Sequence, residues 1–192
     1  MKIVFVTGNS LKAKIAKDIL ITYGVELIQQ KIDTPEIQAK DGQEVAEYSA
    51  EWASNSLKMP VVKSDVSYII PSLNNFPGPF VKFINLWFSA EDIFKLLTGK
   101  KDRTLIIEEY LSFAEPNKKV KTFKTESVCQ IAEKILDSSK GSSFDKILIR
   151  PGYKVPQNMM SQQELDSMFF KEVTIWHSLG TYLQKLPKSR RD

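Results

Sequence analysis

Apolar and polar residues follow two kinds of pattern in the first 30 positions. Residues 3–6 form a short apolar run without alternation, which is typical of a strand buried on both faces. Residues 11–23 have apolar side chains at helical spacing, and Gly24 fits the helix end. Residues 25–28 form a second apolar segment. The order strand, turn, helix, strand predicts an α/β fold. The predicted buried face of the helix comprises Leu11, Ile15, Ile19 and Leu20.

The middle of the chain continues this alternation of elements. Residues 42–58 have a helical pattern. Val61 and Val62 begin a strand that leads to Ser64 and Asp65. Residues 74–79 form a dense turn signal, and residues 80–97 predict two short helices with Ser89 entering the second as its N-cap. The side chains spaced for one face of the 42–58 helix are Val45, Tyr48 or Ser49, and Trp52.

The second half predicts further strands and two terminal helices. Residues 104–113 are rich in β-branched and aromatic side chains, and a turn at 117–119 pairs them with residues 120–128 as an antiparallel hairpin. Residues 145–149 are a strand candidate, residues 150–153 a turn, and residues 161–170 and 177–186 are helical. The motif from Ser161 to Glu164 matches a capping box. No repeat or linker divides the chain, so we expect residues 1–192 to form one domain.

Composition narrows the class of protein only modestly. At 192 residues and 42% hydrophobic, the chain is large enough for one sizeable core. The net charge of +4 favours polyanionic ligands, but only residues 188–191 cluster basic side chains, so nucleic acid is not an expected partner.

Single cysteine and histidine residues exclude several kinds of site. Cys129 has no disulfide partner in the chain, and we expect it to be a small core residue. His177 is the single histidine, which excludes sites that need two histidines. No apolar stretch approaches the roughly 20 residues that span a bilayer, and residues 1–5 read as a strand and not as a signal peptide. We therefore expect a cytoplasmic protein that does not associate with membranes.

The first candidate for chemistry is the strand-to-helix junction at Thr7, Gly8 and Asn9. Gly8 permits a tight turn, and the following helix offers unpaired N–H groups and the positive end of its dipole. Lys12, one turn into the helix, reaches back toward a phosphate group. The same arrangement also occurs in many α/β proteins without a phosphate site.

A second candidate pairs Glu44, at a helix start, with Asp65, just beyond a strand. Two carboxylates from neighbouring elements suit a hard divalent ion such as Mg²⁺, and one of them is able to act as a general base. Without a metal, Glu44 is explained as an acid that favours the first turn of a helix, and Asp65 as a turn residue.

Two weaker candidates follow. The rigid loop at residues 75–82 places Lys82 at the beginning of a helix. Such a lysine is suited to hold a phosphate group, but the segment is equally explained as an ordinary turn. Phe144 and Asp145 place an aromatic ring beside a carboxylate, which suits base stacking and hydrogen bonding as well as a common strand start.

Taken in order, these motifs resemble the inosine triphosphate pyrophosphatase family, the non-canonical purine triphosphatases. Its opening T-G-N-x-x-K motif is matched at residues 7–12, and its L-N-G-x-P-G-x-Y-x-K run at residues 73–82, with Asn75 in place of the usual glycine. Of the family's acidic pair, the second acid is present as Asp65, and Ser64 replaces the first. Its terminal S-H-R motif is reduced to His177 followed by Ser178.

The resemblance implies a two-lobed α/β fold, a mixed twisted sheet flanked by helices, with the nucleotide in the cleft between the lobes. It implies a Mg²⁺-dependent homodimer that hydrolyses inosine, xanthosine or deoxyinosine triphosphate to the monophosphate and pyrophosphate. Asp65 and Lys12 would be catalytic, and Glu44 and Asp65 would bind the metal. The residues implied to bind substrate are Thr7, Gly8, Asn9, Lys12, Lys82, Phe144, Asp145, Lys171 and His177.

The departures from the family pattern leave alternatives open. Ser64 removes a negative charge beside the expected metal, and Ser178 removes a rigid, multidonor guanidinium that would read the base. An impaired protein that binds nucleotides without turnover is the first alternative. A pyrophosphatase with shifted base specificity, acting on pyrimidine or modified nucleotides, is the second.

Overall fold

A computed structural model describes residues 1–35, 37–136, 139–171 and 173–187, without the side chains of residues 169–171. The strands are β1 (Lys2–Val6), β2 (Glu26–Gln30), β3 (Val61–Ile70), β4 (Phe76–Gly78), β5 (Thr104–Ala114), β6 (Lys121–Ile131) and β7 (Leu148–Ile149). The helices are α1 (Ser10–Leu20), α2 (Gly42–Leu57), α3 (Val81–Trp87), α4 (Ala90–Leu96), α5 (Gln162–Lys171) and α6 (Thr174–Gln184).

Among the described residues, seven strands form one mixed sheet in the order β2-β1-β3-β5-β6-β7, with β4 paired to β3. β1 pairs with β2 and β3 in parallel, whereas β4 pairs with β3 in the antiparallel direction. The sheet is flanked by helices, which confirms the predicted α/β class. No helix in the described ranges has the length and apolar character needed to cross a membrane.

The chain divides into two compact units, and each has its own core. The first unit comprises residues 1–65, 109–125 and 169–192. Its main cluster brings β1, α1 and α6 together, with Trp176 packed edge-on against Phe5 at 4.9 Å between ring centroids. A smaller cluster packs Ala53 of α2 against Val4, Val6 and Val61.

The second unit comprises residues 66–108 and 126–168. Its core contains Ile84 of α3, Ile93 of α4 and Cys129 of β6 among the buried residues. The burial of Cys129 confirms its prediction as a core residue.

Two predicted helix caps are confirmed, because a cap depends on residues only three positions apart. Ser89 accepts a hydrogen bond from the Asp92 amide, and Asp92 accepts one in return, which forms a full capping box on α4. The Ser161 hydroxyl and Glu164 carboxylate exchange the same pair of bonds with each other's backbone amides at the start of α5.

Two predicted helix faces were partly wrong. Leu11 is 39% exposed, so the buried face of α1 lacks its predicted first member. On α2, Tyr48 is exposed, whereas its predicted alternative Ser49 is buried. Other buried positions carry the small side chains of Ala46, Ala50 and Ala53.

Two other segments differ from their predicted structure. The turn signal at residues 74–79 contains the short strand β4 and a cis peptide bond before Pro77. The predicted strand at residues 145–149 is shortened to β7, because residues 142–146 form a turn in which the Lys146 amide donates to the Ser142 carbonyl.

Candidate functional site

The loop between β1 and α1 is held in place by its own side chains. The Asn9 amide donates to Thr7 Oγ1 at 3.1 Å, and Asn9 Oδ1 accepts from the Lys12 amide at 2.9 Å as the N-cap of α1. Gln29 of β2 also donates to the Thr7 carbonyl at 3.2 Å. Helix α1 therefore begins at a fixed position, with Lys12 in its first turn.

Gly8 has open space above it, although its backbone does not need glycine. Its φ is not positive, and a Cβ built there meets only Lys31 Cδ, at 3.9 Å. The tight turn expected of Gly8 is therefore not the reason for a glycine here. An uncovered backbone at a helix start leaves room for a ligand to approach the amide groups.

Strand pairing places Ser64 and Asp65 beside this loop. β1 and β3 are parallel, with Val4 opposite Val61 and Phe5 opposite Val62. When this register is continued, the residue opposite Thr7 is Ser64. The carboxyl end of β1 and the middle of β3 therefore lie at the same level. The prediction that Asp65 lies just beyond a strand was wrong, because β3 continues to Ile70.

A small pocket with a volume of about 50 Å³ opens at this level in the first unit. Its polar residues are Lys12, Ser64, Asp65 and Glu109. The remaining walls are formed by Ile15, Tyr110, Leu111, Val173, Ile175 and Trp176. The combination of a few polar groups with apolar walls is typical of small-molecule sites.

The polar residues of this pocket carry unequal charge. Lys12 supplies one formal positive charge, and Asp65 and Glu109 supply two negative charges. Lys12 Nζ lies 4.0 Å from Glu109 Oε1, and the two side chains are 37% and 25% exposed. Oδ2 of Asp65 is buried. The site is thus partly shielded from water, which strengthens interactions between its charges.

Glu109 is the site residue that the sequence analysis missed. It lies on β5, which neighbours β3 in the sheet, so its position depends on strand pairing across more than 40 residues of chain. The available signal was the pair of acids at positions 108 and 109, inside a strand otherwise rich in apolar side chains.

Glu44 is not among the described residues that line this pocket. It is exposed in the first turn of α2, where its negative charge favours the helix dipole and Asp41 provides the N-cap. The expected pairing of Glu44 with Asp65 around a metal therefore stays a prediction.

His177 and Ser178 also lie outside the lining of the pocket. The hydroxyl of Tyr23 and Nδ1 of His177 are 2.9 Å apart, and Tyr23 follows the C-terminal end of α1, whereas Lys12 is near its start. The Ser178 hydroxyl donates to the Thr174 carbonyl of its own helix at 3.1 Å. Ser178 therefore does not replace the donor fork that an arginine would present at this position.

Lys82 belongs to the second unit, in the first turn of α3. Its Nζ lies 5.6 Å from the ring centroid of Phe83, within the range of a cation–π contact. The side chain is exposed at a helix start, as the sequence predicted.

Phe144 and Asp145, also in the second unit, have structural roles that differ from their expected contact with a base. Phe144 is 0% exposed, and its ring packs edge-on against Tyr68 with 4.9 Å between centroids. A ring without exposed surface has no face to offer a base. Asp145 accepts hydrogen bonds from the Ser142 amide at 2.8 Å and from Gln157 Nε2 at 3.1 Å, which join two loop segments.

Lys171 is the last residue of α5, and its side chain lies outside the described part of the structure. Its expected role in substrate binding stays a prediction.

Comparison with known proteins gives a consistent picture. Residues 3–170 match the model of the Ham1 family. A dITP/XTP pyrophosphatase of Methanopyrus kandleri is 36% identical over 152 residues, which cover 79% of this chain and 80% of that protein. A protein of the same name from Methanosarcina acetivorans is 38% identical over 122 residues, covering 64% of this chain and 66% of that protein.

Two solved structures share the fold. The Ham1 protein of Staphylococcus aureus aligns with a TM-score of 0.76 at 22% identity, over 96% of this chain and 98% of its own. The HAM1 protein of Coxiella burnetii aligns with a TM-score of 0.77 at 19% identity, over 97% and 100% of the two chains. The arrangement of helices and mixed sheet described above is therefore common to these three chains.

Proposed function

The chain belongs to the Ham1 family, and from this premise we propose that it hydrolyses non-canonical purine nucleoside triphosphates to the monophosphate and pyrophosphate. The observation that carries the proposal is the pocket in which Lys12, Asp65 and Glu109 meet beside the Thr7–Asn9 loop. The relatives named dITP/XTP pyrophosphatase support the substrate class.

The residues of the pocket suit the two tasks of this reaction. Lys12 and the amide groups at the start of α1 would hold the polyphosphate, since both present positive charge or donors to its oxygens. Asp65 would orient a water molecule and accept its proton as the water oxygen bonds to the α-phosphorus. The bond between that phosphorus and the bridging oxygen then breaks, and pyrophosphate leaves.

We propose Mg²⁺ as the cofactor, because the donor set fits a hard cation. Asp65 and Glu109 offer carboxylate oxygens and Ser64 a hydroxyl in one pocket. The described residues contain no group of three or more histidine, cysteine or acidic side chains placed to hold a metal ion. The proposal therefore rests on the two carboxylates, because Mg²⁺ keeps several waters and binds through one or two carboxylates plus substrate phosphates.

When bound, Mg²⁺ would neutralise charge on the phosphate oxygens and polarise them. On the family resemblance we also propose Glu44 as a ligand and Lys82 as a second phosphate contact. Glu44→Gln is then expected to raise the Mg²⁺ concentration needed for half-maximal rate, whereas Glu51→Gln, an exposed acid on the same helix, leaves it unchanged.

A shift in base specificity is the second candidate function. It is favoured by the buried ring of Phe144 and by the Ser178 hydroxyl, which is bonded to its own helix. A site with fewer donors for the base discriminates less between bases, because fewer polar groups are left unpaired by the wrong one. We therefore expect a broader substrate range than a complete base-reading motif would allow.

A homodimer is part of the same proposal, and so is a location in the cytoplasm. In the second unit, Leu86 and Trp87 at the end of α3 are 75% and 68% exposed. Two adjacent large apolar side chains of this exposure mark a candidate contact surface.

The test is to incubate the pure protein with Mg²⁺ and a panel of triphosphates, including inosine, xanthosine, adenosine, guanosine and pyrimidine forms, and to measure pyrophosphate. Release from the inosine and xanthosine forms would support the purine pyrophosphatase. Release from pyrimidine forms alone would favour the shifted specificity. Calorimetry that shows binding without any pyrophosphate would instead identify a nucleotide-binding protein that has lost turnover.

A further inference from the structure

The pocket of the first unit keeps two acids although one expected position has lost its carboxylate. The family pattern places adjacent acids at positions 64 and 65, and here Ser64 occupies the first of them. Glu109 enters the same pocket from β5, the strand next to β3. Glu109 therefore provides a second carboxylate beside Lys12, in addition to Asp65.

The geometry makes this exchange between strands feasible. Neighbouring strands lie roughly 4.8 Å apart, which is within the reach of a glutamate side chain toward a site on the adjacent strand. The Glu109 side chain is only 25% exposed and lines the pocket. Its 4.0 Å separation from Lys12 Nζ is too long for a hydrogen bond.

The charges of the pocket residues explain why its two carboxylates call for a bound cation when a triphosphate enters. Lys12 alone does not balance Asp65 and Glu109, so the pocket has a formal charge of −1. A triphosphate brings further negative charge into a partly buried site, where repulsion is poorly screened. A divalent cation would offset this repulsion, and Asp65 and Glu109 are the residues that would hold it.

We infer that Glu109 replaces the missing acid at position 64 as a ligand for the divalent cation, so that the metal site is formed by β3 and β5 together. The inference rests on the proposed function and concerns the same pocket. It predicts that Ser64 does not impair the site, because the lost charge is supplied from the neighbouring strand. The alternative is that Glu109 acts only on Lys12 and thereby positions it.

Manganese binding distinguishes these roles without any turnover. Mn²⁺ accepts the same oxygen ligands as Mg²⁺, and free Mn²⁺ is measured by its electron paramagnetic resonance signal in titrations without nucleotide. Loss of a ligand is expected to weaken Mn²⁺ binding by roughly 10- to 100-fold, the scale seen when support for metal ligands is removed. The variant is Glu109→Gln, and Glu108→Gln is the matched control at the adjacent strand position.

A second variant moves the acid back to its expected place. Ser64→Glu combined with Glu109→Gln is expected to restore Mn²⁺ binding to the wild-type value. Glu109→Asp keeps the charge with a shorter reach, so it is expected to bind with intermediate affinity, and it serves if Glu109→Gln does not fold. Circular dichroism checks that each variant is folded before titration.

Each outcome decides the inference. Weak binding in Glu109→Gln with recovery in the double variant supports it. Wild-type Mn²⁺ affinity in Glu109→Gln, with a changed KM for nucleotide, would show that Glu109 only positions Lys12 and would overturn it while the proposed function stands. Weak binding without recovery would overturn the exchange between positions 64 and 109. If the wild-type protein neither binds Mn²⁺ nor releases pyrophosphate, the proposed function fails together with the inference.

Discussion

The ring of Phe144 packs edge-on against Tyr68, with 4.9 Å between the two centroids and no exposed surface on Phe144. Phe144→Ala is therefore expected to lower the free energy of unfolding by about 3–5 kcal/mol, because it leaves a cavity in the core of the second unit. Urea denaturation followed by circular dichroism measures the loss.

Phe83→Ala is the matched control, since Phe83 is only partly buried on α3 and its removal leaves no closed cavity. We expect a clearly smaller loss of stability for this variant. A Phe144→Ala protein with wild-type stability and only a raised KM would return Phe144 to the base-binding role expected from the sequence.

The capping box of α4 predicts a specific response to acid. Hydrogen bonds from Lys95 and Ser89 lower the pKa of Asp92 from 3.8 to about 2. Because the folded-state pKa is the lower one, the contribution of Asp92 to stability is complete above pH 3.8 and is lost as the pH falls through about 2. Asp92→Asn is expected to reduce the dependence of unfolding free energy on pH within this window.

Chemical denaturation at several pH values between these limits measures the slope for wild type and variant. Asp18→Asn on α1 removes the same charge and serves as the comparison. Equal slopes for wild type and Asp92→Asn would show that the cap does not contribute in this way.

A structural feature was predictable from the sequence when the residues that determine it are close together in the chain. The caps at Ser89 and Ser161 connect residues three positions apart, so the local pattern sufficed to predict them. The buried face of α2 was not predictable from apolar spacing, since alanine and serine positions such as Ala50 fill it.

The differences between the predicted and the observed site have a non-local origin. Glu109 reaches the pocket only because β3 and β5 are neighbours, a pairing that no spacing within either strand reveals. The burial of Phe144 likewise follows from packing on Tyr68, more than 70 positions earlier in the chain. Asp65 and Lys12 were assigned to one site only through the family resemblance, because their common position depends on the parallel pairing of β1 with β3.

The exposed apolar side chains at the end of α3 predict that a charge introduced there weakens dimer formation. Trp87→Lys is expected to convert a dimer into a monomer, because a lysine placed in an apolar contact would have to be desolvated. Light scattering coupled to size-exclusion chromatography gives the mass of each species. Lys100→Glu, an exposed charge change elsewhere in the second unit, is the control. A wild-type monomer, or an unchanged dimer in Trp87→Lys, would exclude this surface as the contact.

Asp65 is expected to be required for hydrolysis and not for folding. Asp65→Asn keeps the shape of the side chain but removes its ability to take a proton from water, so kcat is expected to fall by at least ~10²-fold, the lower end of general-base contributions. Pyrophosphate release measures the rate, and calorimetry shows whether nucleotide binding persists. Asp18→Asn, an exposed acid on α1, is expected to retain the wild-type rate. Normal turnover by Asp65→Asn would mean that another group accepts the proton.

Lys12 is expected to act on the phosphate and to contribute little to stability. Lys12 and Lys14 lie on the same helix, but Lys12 lines the pocket whereas Lys14 is exposed and outside it. Lys12→Ala removes a charge-assisted contact that strengthens as charge develops on the leaving pyrophosphate, so kcat/KM is expected to fall by roughly 10²- to 10³-fold. Lys14→Ala removes the same charge from α1 and is expected to keep the wild-type value. Steady-state measurement of pyrophosphate release compares the two variants, and thermal unfolding checks that both are folded. Equal losses in both would mean that the net charge of the helix, and not a contact inside the pocket, attracts the nucleotide.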